Sequence, residues 1–183
     1  MPSPPTLLLL TGPPGTGKST LADLAAERLS APVLGWDWVM ASITGFASVQ
    51  SALEDMTPTE HRRVGWSILW NLATAQLRRG RPVVLDGVAR ELEVTGTRAI
   101  SSAAGARSLV VATSCSDLAI HRQRVEGRSR GIPGWHELEW EHVASVLDRW
   151  EPPAGVDLHL DAVATLAQNA DQLMALLDGP GEG

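Results

Sequence analysis

Between an apolar run, Leu7–Leu10, and a stretch with helical spacing lies Gly12-Pro13-Pro14-Gly15-Thr16-Gly17-Lys18-Ser19-Thr20, which fits the pattern G-x-x-x-x-G-K-[ST]. Glycines let such a loop curl until successive backbone N–H groups point inward, a geometry suited to phosphate oxygens. A helix starting at Lys18 aims its positive end at the same point. Lys18 is then placed to bridge the β- and γ-phosphates of a nucleotide, and the Ser19 hydroxyl to ligate Mg²⁺. Composition sharpens this reading. Of 15 basic side chains, Lys18 is the only lysine and all others are arginine, so a lysine stands here where the chain otherwise uses arginine.

The rest of the chain constrains what surrounds that loop. Apolar runs bounded by turn residues, at Thr6–Leu10, Pro32–Gly35, Pro82–Leu85, Ser108–Ser114 and Asp157–Leu160, alternate with helix-period stretches. Their continuous Leu/Val character predicts strands buried on both faces, hence a parallel α/β sheet covered by helices. Helices are expected at Lys18–Leu29, from Thr57 to Gly80 with Thr57, Pro58 and Glu60 as its start signal, at Glu137–Trp150, and at Val163–Leu177. Ala41–Met56 gives mixed signals and reads as helix and loop.

At 183 residues the chain suits one domain, spanning 1–183. A net charge of −6 argues against a long nucleic-acid partner and leaves a small molecule. No apolar run reaches the ~18 residues of a membrane span, and the single cysteine, Cys115, reads as a buried inert thiol; both point to a reducing cytoplasm. The five histidines show no metal-ligand spacing, and His121, His136, His142 and His159 read as surface or packing residues. No metal beyond the nucleotide's Mg²⁺ is expected.

Three further groups carry chemistry. Asp86 closes the apolar run Val83-Val84-Leu85, where a carboxylate can orient magnesium through water; a turn cap is the bland alternative. It is followed by Gly87, whereas AAA-type motors place a water-activating glutamate there and carry a longer lid domain. Asp37 follows the second strand between Trp36 and Trp38, where it could accept or orient the proton of an attacking hydroxyl, or merely cap a helix starting near Trp38. Arg122, Arg124, Arg128 and Arg130 lie around the glycine-bearing segment Gly127–Gly134. Arg124 and Arg128, four apart, can share a helical face and stabilise charge on a transferring phosphoryl group. Trp66, Trp70, Trp140 and Trp150 read as core, whereas Trp36, Trp38 and Trp135 are candidates to floor a pocket for a flat acceptor.

With the Walker loop, Asp37, Asp86, the arginine segment and the break at Trp150-Glu151-Pro152, the chain resembles the small P-loop kinases, most of all those around chloramphenicol phosphotransferase, zeta toxins and polynucleotide kinase. The likeness runs from Thr6 to Leu177. It implies a three-layer fold with a five-stranded parallel sheet in the order 2-3-1-4-5, ATP and Mg²⁺ at the strand ends, and a small lid at about 127–136. It implies Asp37 as the acceptor-side aspartate and Asp161–Thr165 as the border of the adenine. The expected activity is transfer of the γ-phosphate of ATP to a hydroxyl of a small molecule such as an antibiotic or other natural product. Two alternatives stay open: a nucleoside, nucleotide or polynucleotide kinase using Arg90 and Arg98 for an acceptor phosphate, and a nucleotide-dependent switch with little turnover. Gly87-Val88-Ala89-Arg90 reproduces no acceptor signature, so the acceptor is open at this point, as is the oligomeric state.

Overall fold

The computed structural model describes residues 4–179. Four successive leucines, Leu7–Leu10, are fully buried in β1 (Thr6–Thr11), and this dictates the layering. Consecutive strand side chains point to opposite faces, so a strand of unbroken leucine needs an apolar layer on each side. On one face Leu8 and Leu10 pack with Leu21, Ala22 and Ala25 of α1 (Lys18–Leu29) and Leu173 and Leu177 of α8 (Leu166–Asp178). On the other, Leu7 and Leu9 meet Trp66, Leu69 and Ala73 of α4 (Pro58–Leu77) and Val94 of α5 (Glu91–Ala103). Truncating any of these leucines to Ala should cost about 2–5 kcal/mol.

The sheet is parallel throughout, in the order β2-β3-β1-β4-β5, with β2 (Val33–Gly35), β3 (Val83–Asp86), β4 (Arg107–Ser114) and β5 (Leu158–Asp161). This is the predicted order, and each strand end lies within one residue of its expected place. The register brings those ends together. Gly35 pairs with Asp86, Leu10 pairs with Asp86 from the other side, and Ser114 pairs with Asp161, so the carboxyl ends of all strands finish at one rim.

Several elements depart from the sequence expectation, each for a visible reason. The helix expected at Glu137–Trp150 is only α7, Trp140–Leu147. Glu137 is held out of it because its carboxylate accepts the backbone N–H of Arg130 (2.9 Å) and the Ser129 hydroxyl (3.0 Å), while the Trp150 indole N–H reaches the Ala89 carbonyl at 3.3 Å. α8 starts at Leu166 rather than Val163, since Asp161 takes the Val163 N–H at 3.0 Å and Thr165 with Gln168 forms the capping box. The Thr57/Glu60 box opens α4 as predicted. The mixed stretch before it resolves into α2 (Trp36–Thr44) and α3 (Ala47–Glu54), and Gly35 rather than Asp37 occupies the N-cap of α2. α5 had no sequence signal, because Gly96 and two threonines dilute its pattern. The glycine is required, since a Cβ there would collide with the Trp70 indole. α6 (Leu118–Glu126), capped by Asp117, completes the set. Cys115 is partly exposed rather than buried, though partial desolvation still raises its pKa and keeps the thiol protonated. No described helix is long and apolar enough to cross a membrane.

Candidate functional site

The loop between β1 and α1 is shaped by three glycines in the left-handed region: Gly12 (φ 139°), Gly15 (φ 85°) and Gly17 (φ 85°). Two of them also lack room for a side chain. A Cβ on Gly12 would run into the Thr113 carbonyl of β4, and one on Gly15 would come within 2.6 Å of Val125 of α6. The loop is therefore threaded between α6 and β4. Side chains lock it there: the Thr16 hydroxyl donates to the Pro13 carbonyl (2.8 Å) and meets the Thr113 hydroxyl at 2.6 Å, and Thr113 donates to the Thr11 carbonyl (3.2 Å). His121, fully buried in α6, places its Nε2 2.7 Å from the Pro14 carbonyl and packs edge-on against Trp140 at 5.5 Å. Sequence reasoning, which makes His121 a surface or packing residue, misses this grip on the loop. A histidine in the helix after β4 carries no local pattern that would reveal it.

Lys18 crosses the mouth of the loop and donates to the Pro13 carbonyl at 2.9 Å. Only 8% exposed, it faces the cavity without projecting freely into it. Burial lowers its pKa, partly offset by the charges of Asp86 and Asp37. At the end of β3, Asp86 is pushed the other way: burial raises its pKa, against the opposing pull of Lys18 and a hydrogen bond from Ser19. A carboxylate in that state gains from a nearby cation, and Ser19 beside it supplies a neutral oxygen. This donor pair fits a hard divalent ion that completes its shell with phosphate oxygens and water.

Asp37 is the second residue of α2, two residues past the register partner of Asp86, and lines the same cavity of about 1030 Å³ as Lys18, Ser19 and Asp86. Its carboxylate is engaged by the guanidinium of Arg130 at 2.6 Å. Arg130 is nearly buried, and its guanidinium also donates to the His136 carbonyl and approaches Glu137 at 3.6 Å. Residues 127–139, which contain no helix or strand, are thereby folded over the cavity by an ion pair the sequence reading did not place at Asp37.

The two arginines expected to share one helical face do not. α6 ends at Glu126 with Gly127 as its C-cap, so Arg128 lies beyond the helix. The sites diverge accordingly. Arg128 lines the cavity and its charge is felt by Lys18 and Asp86. Arg124 stays on α6, where its charge is felt by Cys115 and Asp161, beside the β5–α8 loop. Asp161 accepts N–H bonds from Ser116 (3.1 Å) and Val163 (3.0 Å), which fix that loop, and the Ser116 hydroxyl first, then these N–H groups, hold its carboxyl below the usual pKa.

The far end of the cavity is aromatic and cationic. The Trp36 indole donates to the Arg62 carbonyl (3.2 Å) and lies against Gly65, which has no space for a Cβ. His61 and Trp135 stand 5.8 and 6.2 Å from the Trp36 ring, and Trp38 is more than half exposed at the rim. Arg62 pairs with buried Glu93 at 2.9 Å. Arg90 lines this end, but Arg98 does not: it is tied to Gly155 and to Asp157 (3.2 Å) below β5, so the expectation that both serve an acceptor is corrected for Arg98. Of the tryptophans read as core, Trp66 and Trp150 are buried, while Trp70 and Trp140 are partly exposed.

Comparison with known proteins bears on the family and the fold. A family model described as AAA domain (AAA_33) matches residues 7–153. No curated protein matches the chain. Among solved structures it is similar to a sugar kinase from Janibacter sp. HTCC2649 (16% identity, 96% of this chain and 95% of that one, TM-score 0.66). It is likewise similar to a gluconokinase from Sinorhizobium meliloti 1021 (17%, 95% and 92%, 0.65). A third likeness is to APS kinase from Mycobacterium tuberculosis in complex with AMPPNP and APS (18%, 97% and 100%, 0.65). At these identities the likeness establishes the fold.

Proposed function

The chain belongs to the AAA domain family (AAA_33), and from that premise we propose that it is an ATP- and Mg²⁺-dependent kinase that moves the γ-phosphate to a hydroxyl of a small molecule. The observation that carries this reading is a single cavity holding a phosphate cradle at one end, an aromatic and cationic recess at the other, and Asp37 within reach of both. A nucleotide switch needs the cradle but has no use for the recess. The absence of a glutamate after Asp86 tells against a motor, despite the family's description. The neighbours in fold are named as kinases of gluconate, sugar and APS, which supports a small acceptor.

In this reading Gly12 to Thr20 wrap the phosphates, Lys18 contacts the β- and γ-oxygens, and Ser19 with Asp86 holds Mg²⁺. When bound there, the ion would supply charge neutralisation to the phosphate groups. Asp37 orients the acceptor hydroxyl or takes its proton, for which its bond to Arg130 must loosen. Arg128 meets the equatorial oxygens as charge shifts, while Arg124, beside Asp161, serves the nucleotide's base side. An antibiotic or other natural-product hydroxyl is one acceptor class within this proposal. A mononucleotide is the other, favoured by Arg90 at the recess. The deciding experiment is a screen for γ-phosphate transfer to nucleosides, nucleotides, sugars and hydroxylated antibiotics. Transfer to at least one, lost in Asp37→Asn, supports the kinase reading; tight ATP binding without transfer to any of them overturns it.

A further inference from the structure

Six cationic side chains line the cavity: Lys18, Arg62, Arg90, Arg128, Arg130 and Arg149. Four of them have an assignment. Lys18 and Arg128 act on Asp86 at the phosphate end, Arg62 pairs with Glu93, and Arg130 pairs with Asp37. Arg90 and Arg149 have no carboxylate within ion-pair distance among the described residues.

Although remote in sequence, these two line the same cavity, and bonds between their chain neighbours tie the two segments together. The indole N–H of Trp150, next to Arg149, donates to the carbonyl of Ala89, next to Arg90, at 3.3 Å. Four residues on, the Ala154 N–H donates to the Glu91 carboxylate at 2.9 Å, which turns that acid toward the backbone of the 150s segment. The Arg90 backbone N–H is bound by the Glu93 carboxylate at 2.8 Å, and the Arg149 guanidinium is folded back on Ser145, donating from Nε to its carbonyl at 2.9 Å and from Nη2 to its hydroxyl at 2.5 Å. Cavity-lining guanidinium groups that lack a carboxylate partner keep donors for a charge that arrives with a ligand.

The adjoining wall selects shape. Trp36 is immobilised by its bond to Arg62 and by the bare backbones of Gly65 and Gly87 behind it. His61 and Trp135 flank it, and the Trp135 indole N–H is buried without an acceptor. A flat ring can lie along these aromatics and offer that N–H a partner. We infer that the acceptor is a ring-bearing hydroxyl compound with an anionic group, a carboxylate or phosphate, held between Arg90 and Arg149. This rests on the kinase reading for the word acceptor, but the subsite itself does not.

Binding is measured by calorimetry with AMPPNP–Mg²⁺ saturating the phosphate end, so that only the recess is open. The probes are matched pairs: 4-(hydroxymethyl)benzoate against 4-(hydroxymethyl)benzamide, and UMP against uridine. In at least one pair the anion should bind at least about tenfold more tightly, the size of one charge-assisted hydrogen bond. The pair that shows the preference tells carboxylate from phosphate. Arg90→Gln and Arg149→Gln should each shrink that preference without changing the Kd for AMPPNP, and the exposed Arg149 gives a variant whose folding is not in question. Equal binding within both pairs, no binding of either anion, or a preference that survives in the double variant overturns the inference. If an anion binds as expected but ATP phosphorylates no acceptor, the kinase reading fails and the subsite stands.

Discussion

The two ends of the cavity are built in opposite ways. At the phosphate end nine consecutive residues make the site, and their backbone is set by glycines that tolerate no Cβ and by hydroxyls that lock the loop onto β4. At the acceptor end, short contributions from α2, α4, the β3–α5 loop, segment 127–139 and the end of α7 meet, held by the Arg130–Asp37 and Arg62–Glu93 pairs and by tryptophan edges. The Arg130–Asp37 pair, whose carboxylate is 41% exposed, can open at less cost than the buried Arg62–Glu93 pair or a loop locked by sterics and buried hydrogen bonds. In the proposed reading the phosphate end presents one invariant ligand, and the aromatic end closes around a variable one.

Substitutions test that contrast, beginning at the phosphate end. Lys18→Ala should abolish transfer and leave the thermal transition close to wild type, since the ammonium faces the cavity and bonds only the Pro13 carbonyl. Because Lys18 is the chain's single lysine, an acyl-phosphate ATP probe should label one side chain and saturating ATP–Mg²⁺ should protect it; labelling that persists breaks the assignment. The carboxylates come next. Asp37→Asn should keep ATP–Mg²⁺ affinity and lower turnover about 10²–10⁴-fold, the range of a general base or orienting group. Asp86→Asn should instead lose the metal-dependent part of nucleotide binding, and equal loss of affinity in both would erase the distinction between the ends.

Smaller effects are expected from the arginines. Arg128→Ala should slow single-turnover transfer about 10²–10³-fold with little change in ATP affinity, as for removal of one charge-stabilising donor. Arg124→Ala should act mainly on nucleotide affinity, because its charge sits by Asp161 rather than by Lys18. Reversed behaviour would exchange their assignments. Smallest of all is Thr57→Ala, which removes the cap of α4 and should cost about 1 kcal/mol in a denaturant melt. A larger loss would mean that this helix end, whose next residues Pro58 and Thr59 line the recess, supports the acceptor wall as well.

Much was readable from the chain alone, and the particulars show why. Leu7–Leu10 announces a strand buried on both faces, Thr57-Pro58-Thr59-Glu60 announces a helix start, and the Gly12–Lys18 spacing announces a phosphate cradle. In each the physical cause lies within about ten neighbouring residues. Asp37 and Asp86 were visible as strand-end carboxylates for the same reason, and parallel register then brought them together. The helix expected to join Arg124 to Arg128 failed because Gly127 ends it, and α5 escaped notice because its Gly96 answers to Trp70 on another helix.

The sequence by itself determined the fold class and, through the family it resembles, the sheet order, and it offered the loop Gly12–Thr20 as the proposed nucleotide cradle. Tertiary structure alone decided that Arg130 rather than its neighbours meets Asp37, that His121 grips the loop at Pro14, and that Arg90 and Arg149 line one cavity. The division has a physical origin. Backbone conformation and strand burial follow from short-range sterics and periodicity, which a sequence carries openly. The pairing of charges and rings from distant segments depends on which loop ends a folded sheet brings within a few ångströms, and no local pattern encodes that distance.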